Sequence, residues 1–319
     1  MRVLYIGMEF DYGNPAQGTS FEHDNFYPAL KEWSGTTAFQ HFDAVRLATE
    51  HGNQKMSQML LADVDRFKPD VVFSVFFAFD RDPTPDAIRQ ISKTGCKTVN
   101  WFCDSDIRYD NFDKPWSDHL DYCVTTSARG LEKYRKDGLA SKVIKSQWAV
   151  SPKYKKLDLP RDVNISFIGQ PHSNRREIIH QLSQRGFPVE TYGSGWTKRL
   201  TFDEMVQMFN RSKINLNLNN AAMGRSEQIK GRNFEVPGCG GFLLTGACDN
   251  LFEYYEFGKE IAVFNSFGQM CQMARHYLDH EEEREKIALA GYQRTIRDHT
   301  YSRRLDSIFS AMGFSKAQS

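Results

Sequence analysis

Glu227 and Glu235 stand eight positions apart in the stretch EQIKGRNFEVPGCGGFLL, with Lys230, Gly231 and Arg232 between them. The residue types suggest a division of labour. Backbone N–H groups at a helix start, flanked by two cations, suit a phosphate group. Gly231 lets the backbone approach such an anion closely. Glu235, about one turn into the helix, can accept two hydroxyl hydrogen bonds at once, as a ribose diol would offer. Diphosphate, ribose and a second carboxylate for sugar hydroxyls together describe a nucleotide-sugar. The competing account is a solvated loop and a helix whose charges pair with each other, and an isolated E-x7-E is met by that account.

Two other groups could do chemistry. FCDSD (Phe102 to Asp106) places Asp104 and Asp106 after an apolar run, the arrangement that holds a divalent cation against a diphosphate in metal-dependent transferases. Such a site would leave the second half of the chain and the E-x7-E unexplained. We therefore expect Asp104 and Asp106 at a cleft edge, touching an acceptor or capping the next turn. Asp11 to Phe26 reads as a glycine-containing loop after the first strand, bringing His23 and Asp24 toward a reacting centre. If the reaction inverts a sugar carbon, Asp24 or His23 is the general base.

These residues need elements to carry them. With 319 residues, 40% hydrophobic and 25% charged, the chain suits two globular domains. The net charge of +1 offers no general field for nucleic acid, so a DNA-modifying role would need a local basic patch. No run is long enough to span a bilayer; the longest, Val71 to Phe79, is far too short. Six cysteines without metal or paired spacing, and an N-terminus that reads as a strand, predict a cytoplasmic protein.

The first half alternates strands (Val3 to Gly7, Val71 to Phe79, Thr98 to Cys103, Asp121 to Ser127) with helices (Phe26 to Trp33, Pro85 to Lys93). Apolar strands separated by helices predict a parallel sheet covered on both faces. Ala149 to Asn164, with two prolines and several lysines, reads as a linker. The alternation then restarts with Ile165 to Gly169, a helix ending at Gly186, Val189 to Gly193, a helix opened by a Thr201/Glu204 capping box, Ile214 to Leu218 and Gly241 to Thr245. The chain is mostly helical from Glu282. This predicts two doubly wound α/β domains with a ligand cleft between them.

The stretch RSEQIKGRNFEVPGCGGFLLT, followed by LFEYYEFGKEIAVF and DHEEEREKIALAGYQRTIRDHTY, resembles the CgeB-type (spore-maturation) glycosyltransferase family, itself similar to the retaining GT-B glycosyltransferases. The likeness runs from about Val163 to Arg304; SFEHDNFYPALKEW and TVNWFCDSD match the family's N-terminal half more loosely. It implies a GT-B fold: an acceptor-side Rossmann-like domain over 1–155, a donor domain over 156–300, and a helix over 301–319 returning to the first. It also implies transfer from a nucleoside-diphosphate sugar, with UDP the commonest carrier, to a saccharide, protein or modified nucleic acid, with no metal or other cofactor required. By that resemblance Glu235 is the ribose ligand and Glu227 lies near the donor sugar. Arg175 or Arg176, after the FIG that ends at Gly169, falls where a diphosphate-binding arginine sits, and Trp196 of YGSGW lies near the base. FIGQPHSNRR departs from the family by lacking an arginine directly after the glycine and a later lysine–glycine pair. The diphosphate ligands therefore stay open among Arg175, Arg176, Lys230 and Arg232. A binding module without turnover is the alternative from another class.

Overall fold

The computed structural model describes residues 1–219 and 227–314, which divide into two units. Unit 1 comprises Met1–Gln147 with the C-terminal segment from Tyr301; unit 2 comprises Trp148–Thr300.

Unit 1 is a six-stranded parallel sheet: β1 (Arg2–Ile6), β2 (Ala38–Phe42), β3 (Val71–Ser74), β4 (Lys97–Phe102), β5 (Tyr122–Thr125) and β6 (Val143–Lys145), in the spatial order β2-β1-β3-β4-β5-β6. Strand side chains alternate between faces. Leu4 and Ile6 of β1 accordingly join the core beneath α2 (Ala44–His51), α3 (Asn53–Phe67) and α4 (Pro85–Lys93). On the other face α1 (Phe21–Glu32) brings Phe26 against Phe73 and Trp101. The last helix, Tyr301–Ala311, completes that layer. Tyr301 packs edge-on against Phe26, and Trp33 donates its indole N–H to Asp306 at 2.9 Å.

Unit 2 is a five-stranded parallel sheet: β7 (Val163–Ile168), β8 (Glu190–Tyr192), β9 (Ser212–Asn217), β10 (Leu243–Gly246) and β11 (Ala262–Phe264), in the order β11-β10-β9-β7-β8. Its helices are α5 to α9 in the chain order used below. α5 (Arg175–Gln184), α8 (Phe267–Asp279) and α9 (Glu281–Asp298) cover one face. α6 (Phe202–Arg211) and α7 (Arg232–Gly238) cover the other. The Thr201/Glu204 capping box forms in both directions.

Several boundaries differ from the sequence reading. The run Val71 to Phe79 is a strand only to Ser74. Beyond it Phe76 N–H turns to the Asn100 carboxamide and Phe77 N–H to Asp82, so these amides bond to side chains rather than along a ladder. The loop Asp11 to Phe26 ends early, because the Ser20 hydroxyl accepts from His23 N–H and starts α1 at Phe21. The segment 149–164 is built into unit 2: Tyr154 is buried there and Leu157 N–H donates to Asn210 at 2.7 Å.

Candidate functional site

In each sheet the first strand lies between strands reached by connections running in opposite directions, so the order reverses beside it. Ligands of open α/β sheets bind outside the carboxyl ends of the strands at such a reversal. In unit 2 the reversal lies between β7 and β9, and three of the four sequence-predicted cations gather there.

Arg175 opens α5 and sends its guanidinium back across the strand ends, donating to Gln170 O at 2.9 Å and Leu218 O at 2.7 Å. Leu218 follows β9, so one side chain spans the reversal. Arg232, from α7, reaches the same edge and donates to Ile168 O at 3.1 Å. Burial and the nearby Arg232 charge push Arg175 down to about 10. For Arg232 burial acts downward too, but Glu235 and Tyr154 outweigh it and the group is raised. His172 is held low by burial and by the charges of Arg175 and Lys230. Arg175, Lys230 and Arg232 are thus within electrostatic reach of one edge, and an anion there would relieve the repulsion between the two arginines.

Arg176 takes another path. It stacks on Trp196 at 4.6 Å and donates to Gly195 O. Trp196 in turn donates to Gly169 O at 2.7 Å. Gly169 and Gly193 approach so closely that a Cβ at Gly193 (φ +131) would stand 2.6 Å from Gly169 O. The four candidate cations therefore separate into a group of three and an outlying arginine–tryptophan pair.

The two glutamates have different surroundings. Glu235 is 0% exposed; its Oε1 accepts from Tyr154 at 2.8 Å and its Oε2 pairs with Arg232. The sequence suggested an open carboxylate for a diol; here both oxygens already have protein partners and the group is closed off from solvent. Glu227 is exposed and lines a pocket of about 450 Å³ with Asn174, Asn219, Gly246 and Asn265. That volume suits a small ligand. Gly231 has φ −49 and ψ −37, which any residue adopts, so only its missing side chain distinguishes it.

What holds this loop was not anticipated. β9 alternates Ile214 and Leu216 on one face with Asn215 and Asn217 on the other; Leu218 and Asn219 follow it, and all six are buried. The Nδ2 atoms of Asn217, Asn219 and Asn233 lie 3.0, 3.0 and 3.1 Å from Thr245 Oγ1. Asn233 Oδ1 accepts from Lys230 N–H at 2.9 Å, and Asn219 O accepts from Gln228 N–H at 3.0 Å. The stretch carrying Lys230 and Arg232 therefore hangs from the strand ends. The NLNLNN run (Asn215 to Asn220) was the signal, read only as a strand.

In unit 1, His23 and Asp24 sit in the first turn of α1. Asp24 is buried and accepts from Thr19 Oγ1 at 2.7 Å, and His23 packs beside the Tyr27 and His41 rings. Asp104 precedes a short helical turn, Ser105–Arg108, with φ 60, and makes no side-chain cap bond, contrary to one expectation. Among the described residues no group of three or more His, Cys, Asp or Glu is arranged to hold a metal ion. No helix among them is long and apolar enough to cross a membrane.

Comparison with known proteins bears on this geometry. Residues 174–310 match a family described as glycosyl transferase-like. The Bacillus subtilis spore protein CgeB is 23% identical over 164 residues, 43% of this chain and 50% of that protein. The chain thus spans half the length of the curated relative it matches. Among solved structures, Anabaena HepE in complex with UDP superposes with a TM-score of 0.66 at 10% identity, over 98% of this chain and 100% of that one. A Listeria monocytogenes structure described as a putative UDP-N-acetylglucosamine 2-epimerase gives 0.56 at 11%, over 98% and 95%. At such identities the likeness concerns the fold, and the fold is of the GT-B type.

Proposed function

We propose that this chain is a glycosyltransferase that moves a sugar from a nucleoside diphosphate, UDP in the first instance, to an acceptor, with unit 2 holding the donor. The observation that carries the reading is the convergence of Arg175, Lys230 and Arg232 at the β7/β9 reversal, with Glu235 behind them and Glu227 lining a pocket. In this reading the cations hold the diphosphate. As the bond to the sugar breaks, negative charge grows on the leaving phosphate, and pre-placed cations stabilise it without reorganising. The departing phosphate can accept the acceptor's proton, so the sugar keeps its configuration and no metal is needed. Glu227 would face the sugar hydroxyls and Glu235 the ribose. Unit 1 would take the acceptor. A cytoplasmic site of action accords with six free cysteines among the described residues.

Melting curves with UDP, UDP-glucose, GDP-mannose and ADP-glucose test the donor class, since a ligand of the native state raises the midpoint. Glu235→Ala should cost about 1.5–3 kcal/mol for both UDP and the UDP-sugar, because both contain the ribose. Glu227→Ala should leave UDP binding intact and weaken only the intact donor and its turnover. No shift with any nucleotide would remove the reading. Interconversion of free sugar-nucleotides without an acceptor would point instead to an epimerase on the same fold.

A further inference from the structure

The amino ends of the unit 1 strands lie opposite the edge at which open α/β sheets bind their ligands. They carry a cavity of about 900 Å³, in the size range of small-ligand sites. It opens where α3 and α4 finish and β3 and β4 begin. Lys68 (φ 49) turns the chain from α3 toward β3, and Gly95 (φ +93) turns it from α4 into β4. The notch between the two helix ends stays open: a Cβ on Gly95 would meet no atom within 4 Å.

The walls are apolar. Leu61 and Val64 of α3 and Ile91 of α4 line the cavity, together with Cys96 and Phe314. Val64, Ile91 and Cys96 belong to the buried core of unit 1, so the floor of the notch is the core itself. Burial pushes the Cys96 thiol up to about 12, which keeps it a neutral wall rather than a nucleophile.

The mouth is charged. Lys68, Lys93 and Lys97 line it and are exposed, and no ammonium group of the three has an ion pair or hydrogen bond among the described residues. Elsewhere in unit 1, Lys114 and Lys133 each pair with an aspartate at 2.9 Å. Opposing the three lysines are Asp65, Asp70 and the carboxyl ends of two helices, each end equivalent to about half a negative charge. Arg2 offsets part of this. Its guanidinium donates to Phe67 O at the end of α3 at 2.8 Å, and its backbone N–H donates to Asp70 at 2.7 Å. The lysines outweigh what remains, which leaves a net positive mouth over an apolar floor. A molecule with an apolar body and an anionic head matches both parts.

We propose that this cavity binds an alkyl carboxylate, its chain against Leu61, Val64, Ile91 and Phe314 and its head among Lys68, Lys93 and Lys97. None of these residues belongs to the donor site, and the assignment does not rest on the transferase reading.

Calorimetric titration of the full chain with octanoate, decanoate and dodecanoate, below micelle formation, tests this. A single equivalent should bind, up to about fourfold more tightly for each added methylene. Decyltrimethylammonium, of equal chain length and opposite charge, should bind about tenfold more weakly than decanoate. The exposed double variant Lys93→Glu, Lys97→Glu should weaken decanoate about tenfold and remove its advantage over the ammonium compound. Leu61→Trp, which fills the notch from α3, should weaken both compounds by about tenfold. Should Leu61→Trp fail to fold, the lysine variant and the comparison of head groups still decide the matter. No binding by any of the three carboxylates overturns the proposal. So does decanoate affinity unchanged in the variants, or decyltrimethylammonium binding as tightly as decanoate.

Discussion

Tyr154 donates its hydroxyl to Glu235 Oε1 at 2.8 Å across a distance of 81 residues in the chain, and both groups are buried. In the proposed donor site, this hydroxyl occupies the position a ribose hydroxyl would take. Tyr154→Phe should destabilise the free protein by about 1–3 kcal/mol, because a buried carboxylate oxygen loses its partner. If the ribose takes that position, UDP should raise the melting point of Tyr154→Phe more than that of the unaltered protein. A smaller rise would mean that Tyr154 itself is what Glu235 is built to hold.

Arg175 and Arg176 are neighbours with opposite environments, and their variants should separate. Arg175→Met removes the hydrogen bonds to Gln170 O and Leu218 O and a charge beside Arg232. Both stability and UDP affinity should fall, affinity by tenfold or more, the scale of a lost charged hydrogen bond. Arg176→Ala should change UDP affinity by less than about threefold, since that side chain lies on Trp196. Calorimetric titration with UDP reads both, and a larger loss at Arg176 would move the diphosphate to the tryptophan side.

Three amides crowd Thr245 Oγ1, one more than its two lone pairs can serve at once. Thr245→Val should take from Asn233 Nδ2 its acceptor, while Asn217 and Asn219 keep Asn219 Oδ1 and Gly246 O, and cost about 1–3 kcal/mol of unfolding free energy. Thr245→Ser should restore most of it. Because the same network holds Lys230 N–H through Asn233, UDP affinity should follow the same order; equal affinities in all three proteins would show that the network serves stability alone.

Acidic groups with raised values give unit 1 a distinctive pH response. Burial pushes Asp82, 2% exposed, up to about 8, although Phe77 N–H donates to it at 2.9 Å. Glu22 is raised to about 7. Their ordinary values lie near 4, so between there and about 8 the native state binds more protons than the unfolded chain. Stability should fall as pH rises from about 4 to about 8, with a contribution approaching ~1.4 kcal/mol per pH unit where one such group is protonated only when folded. Asp82→Asn should flatten the slope in urea titrations. Glu204, held down at about 2, loses its contribution only at far lower pH and does not offset this.

Local chemistry by itself determined a good part of this protein. Apolar runs of strand length between helical stretches implied parallel sheets, and the strand Ile214 to Leu218 was legible from its alternation. The capping box at Thr201 needed only four adjacent residues. Lys230, Arg232 and Glu235 were nameable because their spacing is local. The polar face of β9, by contrast, would ordinarily be assigned to solvent. It is buried because Asn233 and Thr245, from a helix and another strand, satisfy it. Whether Glu235 is open depended on Tyr154, and whether Arg175 or Arg176 joins the cations depended on which carbonyls each could reach. Glu22 drew no attention in the sequence, since its environment comes from Asp11 and from the end of β4, far along the chain. Side-chain types and short-range spacing follow from the sequence. Burial and the sum of charges around a group arise only when strands distant in the chain are laid side by side.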